Sequence, residues 1–204
     1  MSAYIYIEGG ATGAGSKYLK TKCQEAFHKL LGRMGFAGRR PRLVACGGRG
    51  DVYDRFVIEL SSGTTDYAAI WIDSEEPMAN PNATWQHLGT VKTVPKWVQP
   101  ADAQDDQVLF MTTCMETWIV ADHQTLSEHY GHELKKAALP PLMNLEQRQR
   151  HDVQGMLVRA TRDCSNAYEK GEHSYQILAE LNPAVLEQHL PSFVRVRQIL
   201  NAKL

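Results

Sequence analysis

Three short apolar runs, each ended by glycine or a charged residue, dominate the first third of the chain. They span about residues 3–8, 42–46 and 68–73. Runs of this kind are typical of strands that are buried on both faces of a parallel sheet. Between them, residues 16–34 and 51–60 carry apolar side chains at helical spacing. This alternation predicts a parallel α/β sheet with right-handed crossovers.

The regular pattern stops at residue 76. Residues 76–106 contain four prolines and show neither the helical period nor the period of a strand. A loop of this length inside a compact domain is often functional. A fourth strand is predicted at 108–114, followed by a helix at 115–130.

The rest of the chain has only helical patterns, at about residues 152–162, 174–181 and 183–200. We therefore expect an α/β catalytic domain over residues 1–130 and a helical C-terminal extension packed on it over residues 131–204.

Composition is that of an ordinary globular protein, with 43% hydrophobic and 22% charged residues and a net charge of −1. One stretch, residues 17–49, departs from this balance because it holds nine Lys or Arg residues and a single acid, Glu25. This stretch is either a solvated helix face or a surface that faces phosphates. Four cysteines without a C-x-x-C pair, no signal segment and no bilayer-length apolar run predict a cytoplasmic protein with no membrane contact.

Acidic residues stand at the ends of two predicted strands. Glu8 ends the first, and Asp73 and Glu75 end the third. Because ligands of parallel sheets bind at the carboxyl ends of the strands, these side chains are expected to share one site. Clustered carboxylates suit a hard cation such as Mg²⁺ (or Mn²⁺), which supports phosphodiester chemistry. The alternative is that these acids cap the turns that follow the strands.

The glycine-rich segment 10–17 gives a rival interpretation. It lies between a strand and a helix and nearly matches the phosphate-binding loop of nucleotide kinases and NTPases. However, Ser16 and Lys17 stand in the reverse of the order that this loop requires, which displaces both side chains around the helix. Contact with an anion through Gly9, Gly10, Lys17 and Arg49 is still predicted, since glycines let a phosphate approach the backbone closely.

Together these segments resemble the Toprim domain, and more closely a group of small standalone Toprim-like proteins often encoded beside AAA-type ATPases in anti-phage islands. The matching segments are YIEGG (6–10), GSK (15–17), ACGGR (45–49), DSE (73–75), DDQ (105–107), CMETW (114–118), AD (121–122) and KGEHS (170–174). The resemblance implies a Toprim-like (Rossmann-like), mostly parallel sheet of about four strands flanked by helices.

The resemblance also implies residue roles. Glu8 corresponds to a general acid/base that also touches metal, Asp73 and Glu75 correspond to a metal-binding pair, and Glu116 corresponds to the acid after the fourth strand. Glu75 departs from the family's usual Asp at this position, which leaves two-metal spacing open.

Three functions follow as hypotheses. The first is a Mg²⁺-dependent nuclease on DNA or RNA, an anti-phage effector working with an AAA-type ATPase, with homo-oligomerisation open. The second is a catalytically silent module that docks on such an ATPase. The third is the phosphotransferase suggested by segment 10–17.

Overall fold

The computed structural model describes residues 2–10 and 16–204, and four parallel strands form its central sheet. The strands are β1 (Ala3–Glu8), β2 (Arg42–Gly47), β3 (Tyr67–Asp73) and β4 (Val108–Met111), in the order β2-β1-β3-β4. Strand β1 is therefore flanked by β2 and β3, and all four carboxyl ends lie at one edge. The predicted α/β class is confirmed.

Helices cover both faces of this sheet. They are α1 (Ser16–Leu31), α2 (Arg49–Ser62), α3 (Thr84–Thr90), α4 (Met115–Ala121), α5 (His123–Tyr130), α6 (Arg150–Thr161), α7 (Glu172–Glu180), α8 (Pro183–His189) and α9 (Pro191–Lys203). A π-helical turn, Gly32–Phe36, continues α1. None of the helices in the described residues is long and apolar enough to cross a membrane.

Strand β3 shows why its apolar run is continuous rather than alternating. Every residue of β3 is buried. Trp71 packs into one core with Phe27 and Trp118, whereas Ile70 and Ile72 pack into a second core on the opposite face. Successive side chains of a strand point to opposite faces, so a strand covered on both sides must be apolar at every position.

Two predicted helices are interrupted in the structure. The predicted helix 115–130 breaks at Asp122, whose carboxylate accepts hydrogen bonds from the N–H and hydroxyl of Thr125 and so caps α5. The predicted helix 183–200 breaks before Pro191, which has no N–H to continue the helical ladder. The predicted fourth strand also ends early, at Met111.

The long segment 76–106 is anchored to the sheet rather than free. It contains α3, and Trp85 and Trp97 are both buried in the second core. Asp105 accepts hydrogen bonds from Thr84 and from the Trp85 N–H. These contacts indicate that the two tryptophans anchor the segment to the core and that Asp105 caps the start of α3.

The C-terminal extension shares its core with the α/β part. One continuous cluster of buried side chains includes Trp71 of β3 together with Leu157, Leu178 and Phe193 from α6, α7 and α9. Helix α7 packs along α1. Residues 131–204 therefore complete the core that α1 and α4 form on one face of the sheet, and they bring side chains to its carboxyl edge.

Candidate functional site

A cavity of about 290 Å³ opens at the carboxyl ends of β1 and β3. Glu8 and Asp73 line it, together with Lys170 and Tyr175 from the C-terminal region. Strands β1 and β3 are neighbours, so their last residues meet at the same edge. The structure therefore brings Glu8 and Asp73 together, as the sequence predicted for these two residues.

Asp73 is the more deeply placed of the two acids. Its side chain is buried, and its Oδ1 accepts a hydrogen bond of 2.9 Å from the N–H of Met115 at the start of α4. Burial, followed by the nearby charges of Glu8 and Glu116, raises the Asp73 pKa to about 8, although Lys170 and Arg150 oppose the shift. Burial and the neighbouring carboxylates therefore favour the protonated form of Asp73, and a bound cation would favour the ionised form.

Glu116 lies behind the cavity and is satisfied by other residues. It is fully buried, its Oε1 accepts a hydrogen bond of 2.8 Å from Tyr168, and its Oε2 accepts one of 3.1 Å from Gln154. Lys170 Nζ lies 4.0 Å from Oε1. Burial opposes ionisation of Glu116, but Lys170, Gln154 and Tyr168 outweigh it and lower the pKa. Glu116 thus acts here as the counterion of Lys170.

Glu75 is directed away from Asp73. It has a positive φ of 72°, a conformation that side-chain-bearing residues rarely adopt. Its buried carboxylate forms an ion pair with Arg150 and lies 4.0 Å from Nη1 of Arg49. Glu75 does not line the cavity. The predicted Asp73–Glu75 metal pair is therefore split between the cavity and an arginine cluster.

Arg49 lies among the acids rather than on a phosphate-facing surface. Its Nη1 donates a 2.9 Å hydrogen bond to the backbone carbonyl of Asp73 and lies 3.5 Å from Glu8. Its guanidinium stacks on Trp97, and burial lowers its pKa. Its Nε and Nη2 have no hydrogen-bond partner among the described residues. In this arrangement Arg49 neutralises carboxylates, and its predicted contact with phosphate stays a prediction.

Gly9 and Gly10 line the cavity and are also closely packed against α1. A Cβ at Gly9 would stand 2.6 Å from Cys23 Sγ, and one at Gly10 would stand 2.6 Å from Lys20 Cγ. The Gly9 N–H donates to the carbonyl of Gly47, and the Gly10 N–H donates to the hydroxyl of Tyr175. Both donors are therefore engaged, and the predicted contact of Gly9 and Gly10 with phosphate stays a prediction.

The phosphate-loop interpretation rests on residues 11–15, which lie outside the described residues. Lys17, at the start of α1, is exposed. Its predicted contact with an anion stays a prediction.

The described residues contain no group of three or more His, Cys, Asp or Glu side chains arranged to hold a metal ion. A common ligand set of Glu8, Asp73, Glu75 and Glu116 is therefore not formed in this arrangement, because Arg150 and Lys170 already neutralise the last two. Glu8 and Asp73 fit Mg²⁺ better, since protein-bound Mg²⁺ is commonly held by one or two carboxylates together with water and substrate phosphate.

Several residues at the site had no specific sequence signal. Arg150, Gln154, Tyr168 and Tyr175 come from loops or helices beyond residue 130, and their spacing matches no catalytic motif. Lys170 lies in the KGEHS segment (170–174), which carries part of the resemblance. Only its position beside Glu116, at the mouth of a cavity lined by Asp73, distinguishes it from other surface lysines.

Comparison with known proteins gives one match. The model of a family described as "Domain of unknown function (DUF4276)" matches residues 10–201. Neither the curated proteins nor the solved structures contain a match to this chain.

Proposed function

The chain belongs to the DUF4276 family of unknown function, and from its cavity we propose a Mg²⁺-dependent phosphodiesterase, most simply a nuclease. The observation that carries the proposal is the meeting of Glu8, Asp73 and Lys170 around one open cavity at the carboxyl edge of the sheet. Two carboxylates and an exposed ammonium group suit a divalent cation and a phosphodiester anion together.

Glu8 is placed to move a proton. Its side chain is 23% exposed and reaches the cavity at the end of β1, where water has access. It would take a proton from the attacking water and return one to the leaving oxygen. Mg²⁺, held by Glu8 and Asp73, would supply charge stabilisation at the scissile phosphate.

Lys170 is placed to bind the substrate anion. Its side chain is 57% exposed, and its ammonium group lies 4.0 Å from Glu116 at the cavity. The buried carboxylate of Glu116 orients the ammonium group of Lys170 towards the cavity. The other hydrogen-bond donors of this ammonium group are left for phosphate oxygens. Lys170 and Glu116 would thus position the phosphate that is attacked.

A cleavage assay tests the proposal. Labelled single-stranded DNA, duplex DNA and RNA are incubated with Mg²⁺ or Mn²⁺ and the purified protein, or its Glu8→Gln and Asp73→Asn variants. We expect each variant to lose roughly 10³-fold in rate, the range for losing an acid/base or metal-binding group. Glu169→Gln, an exposed acid beside Lys170, is the matched control. Full activity in the Glu8→Gln, Asp73→Asn double variant would rule out this site.

A protein partner is a second element of the proposal. Tyr53, Val57, Ile58 and Val98 line an apolar depression beside α2, with Ile58 69% and Val98 79% exposed. Exposed apolar side chains gathered in one place favour a protein contact. We propose an AAA-type ATPase as the partner, on the resemblance to anti-phage proteins, and a catalytically silent docking module remains the alternative function. Co-purification of such an ATPase with wild type but not with Ile58→Asp tests the contact, and cleavage activity separates the two functions.

A further inference from the structure

A groove between α1 and α7 is lined by four basic side chains. The groove has a volume of about 680 Å³. Lys22, Lys29 and Arg33 line it from α1 and its π-helical continuation, and Arg40 lines it from the loop before β2. We refer to it as the α1–α7 groove.

The spacing of these cations places them in a row. Lys22, Lys29 and Arg33 are seven and four residues apart, so they share one helix face. Lys22 and Lys29 are separated by about 10 Å along the axis at 1.5 Å per residue. Successive phosphates along one strand of DNA rise by about 3.4 Å. The row therefore spans several phosphates of a nucleic acid strand.

Three acids also line the groove and lower its net charge, but each of them contacts a residue other than Lys29, Arg33 or Arg40. Glu25 pairs with Lys22 at 3.3 Å, Glu172 accepts a 2.7 Å hydrogen bond from Tyr18, and Glu180 contacts His129 at 3.3 Å. Lys29, Arg33 and Arg40 form no ion pair with any acid of the described residues. All three are exposed. The groove thus offers free cations to an external polyanion.

Tyr175 joins the groove to the cavity. The residue lines both, and its hydroxyl accepts the Gly10 N–H directly after β1. A chain lying in the groove and passing Tyr175 would enter the cavity beside Glu8. Of the residues that the structure describes, none lines both the cavity and the apolar depression beside α2.

We propose that the α1–α7 groove binds the sugar–phosphate backbone of a nucleic acid strand and directs it past Tyr175 to the cavity. The inference deepens the proposed phosphodiesterase function and rests on it. It also divides the basic stretch 17–49: Lys29, Arg33 and Arg40 bind backbone phosphates, while Arg49 neutralises carboxylates.

Binding without cleavage tests the groove. Fluorescence anisotropy of fluorescein-labelled oligothymidylate is measured in EDTA over a range of salt concentrations, with the full-length protein. Lys29→Gln, Arg33→Gln is compared with a control of equal charge change, Arg55→Gln, Lys136→Gln, whose exposed residues lie outside the groove. For the groove variant we expect at least a tenfold weaker affinity. The slope of log affinity against log salt concentration should be less steep by about 1.4, because each of the two lost phosphate contacts contributes about 0.7. The control should bind as wild type does.

Two outcomes would overturn the inference. One is equal binding by the groove variant and the control, or no binding by wild type. The other is equal displacement of the oligonucleotide by polyglutamate at the same charge concentration, which would make the groove a general polyanion site.

Cleavage separates this inference from the proposed function. The groove variant should hydrolyse bis(p-nitrophenyl) phosphate as wild type does, because this small diester reaches only the cavity, but it should have a raised KM on a long strand. If wild type hydrolyses neither substrate with Mg²⁺ or Mn²⁺, the phosphodiesterase proposal fails. If the groove variant then still loses binding while the control does not, the assignment of the groove as a nucleic-acid-binding site is retained.

Discussion

Asp73 and Glu75 are two residues apart, yet they lie in opposite environments. Asp73 lines a cavity and has a raised pKa, and its carboxylate forms no ion pair with an arginine of the described residues. Glu75 is buried between Arg49 and Arg150 and does not reach the cavity. In an extended strand, residues i and i+2 share a face. Strand β3 ends at Asp73, so this rule does not extend to Glu75. The positive φ of Glu75 turns its own side chain out of the strand direction.

This comparison shows that spacing in sequence does not define a metal pair. Access to the cavity separates the four acids. Glu75 and Glu116 are both buried and paired with cations, whereas Asp73 and Glu8 line the accessible cavity, although Glu8 also pairs with Arg49. The arginine cluster around Glu75 supports the edge of the sheet, and the cavity is where ligand chemistry is available.

The largest expected effect on stability comes from removing the cation of the arginine cluster. Arg49→Met leaves Glu8 and Glu75 without this neighbour, and unpairing buried charges costs about 3 kcal/mol. Urea unfolding measures the loss. Arg55→Met, an exposed arginine of the same helix, should be nearly neutral. Equal stability of the two variants would mean that Arg49 does not hold the acids together.

Metal binding should separate Asp73 from Glu75. With Mn²⁺ at a hundredfold excess over its Kd, binding to the native state stabilises by about 2.7 kcal/mol. Wild type and Glu75→Gln should both show a metal-dependent rise in unfolding free energy, and Asp73→Asn should not. A loss in Glu75→Gln with retention in Asp73→Asn would reverse the assignment.

The Glu75–Arg150 pair should show a measurable coupling energy. A double-mutant cycle with Glu75→Gln and Arg150→Gln is expected to give about 1–2 kcal/mol, because Glu75 is buried. The exposed Lys135–Asp163 pair provides the comparison and should show almost no coupling, since solvent screens surface pairs. Equal couplings would remove the distinction between a buried cluster and surface charge.

Glu146, a half-buried acid outside the cavity, tests whether loss of hydration can raise the pKa of a carboxyl group. Burial raises the Glu146 pKa from 4.5 to about 7, although Ser192 donates hydrogen bonds to it and opposes the shift. The folded state then binds the proton more tightly than the unfolded state. The contribution to stability is full below pH 4.5 and is lost as pH rises through about 7.

Because Glu146 is partly exposed, the expected size is only about 1 kcal/mol. Chemical unfolding between pH 4 and 8 should show that the difference in unfolding free energy between wild type and Glu146→Gln decreases with rising pH. A constant difference would contradict the raised pKa. Glu187→Gln, a partly buried acid of nearby α8, is the control.

Much of the fold could be predicted from the chain pattern. The positions of β1, β2 and β3 follow from short apolar runs, since a doubly covered strand needs apolar residues throughout. The breaks at Asp122 and Pro191 were missed, although Pro191 is a standard helix-breaking signal. Asp122 caps α5 through a local hydrogen bond that apolar periodicity does not report.

The candidate site was only partly predictable. Glu8 and Asp73 meet because neighbouring parallel strands end at one edge, and strand-end position is visible in sequence. The role of Arg49 could not be predicted, because it depends on which acids lie near its guanidinium group. The roles of Glu75 and Glu116 could not be predicted either, because they depend on which cation lies near each carboxylate. Those cations, Arg150 and Lys170, come from residues more than 50 positions away from the acids they neutralise.

The sequence by itself determined the sheet, the strand ends and the acids placed there, because these follow from local hydrophobic pattern and connection rules. The tertiary structure alone decided which acids remain available. Packing of α6 and α7 against the sheet pairs Glu75 with Arg150, places Lys170 over Glu116 and leaves Glu8 and Asp73 facing the cavity. Charge pairing acts over a few ångströms in space, and separation along the chain does not encode it.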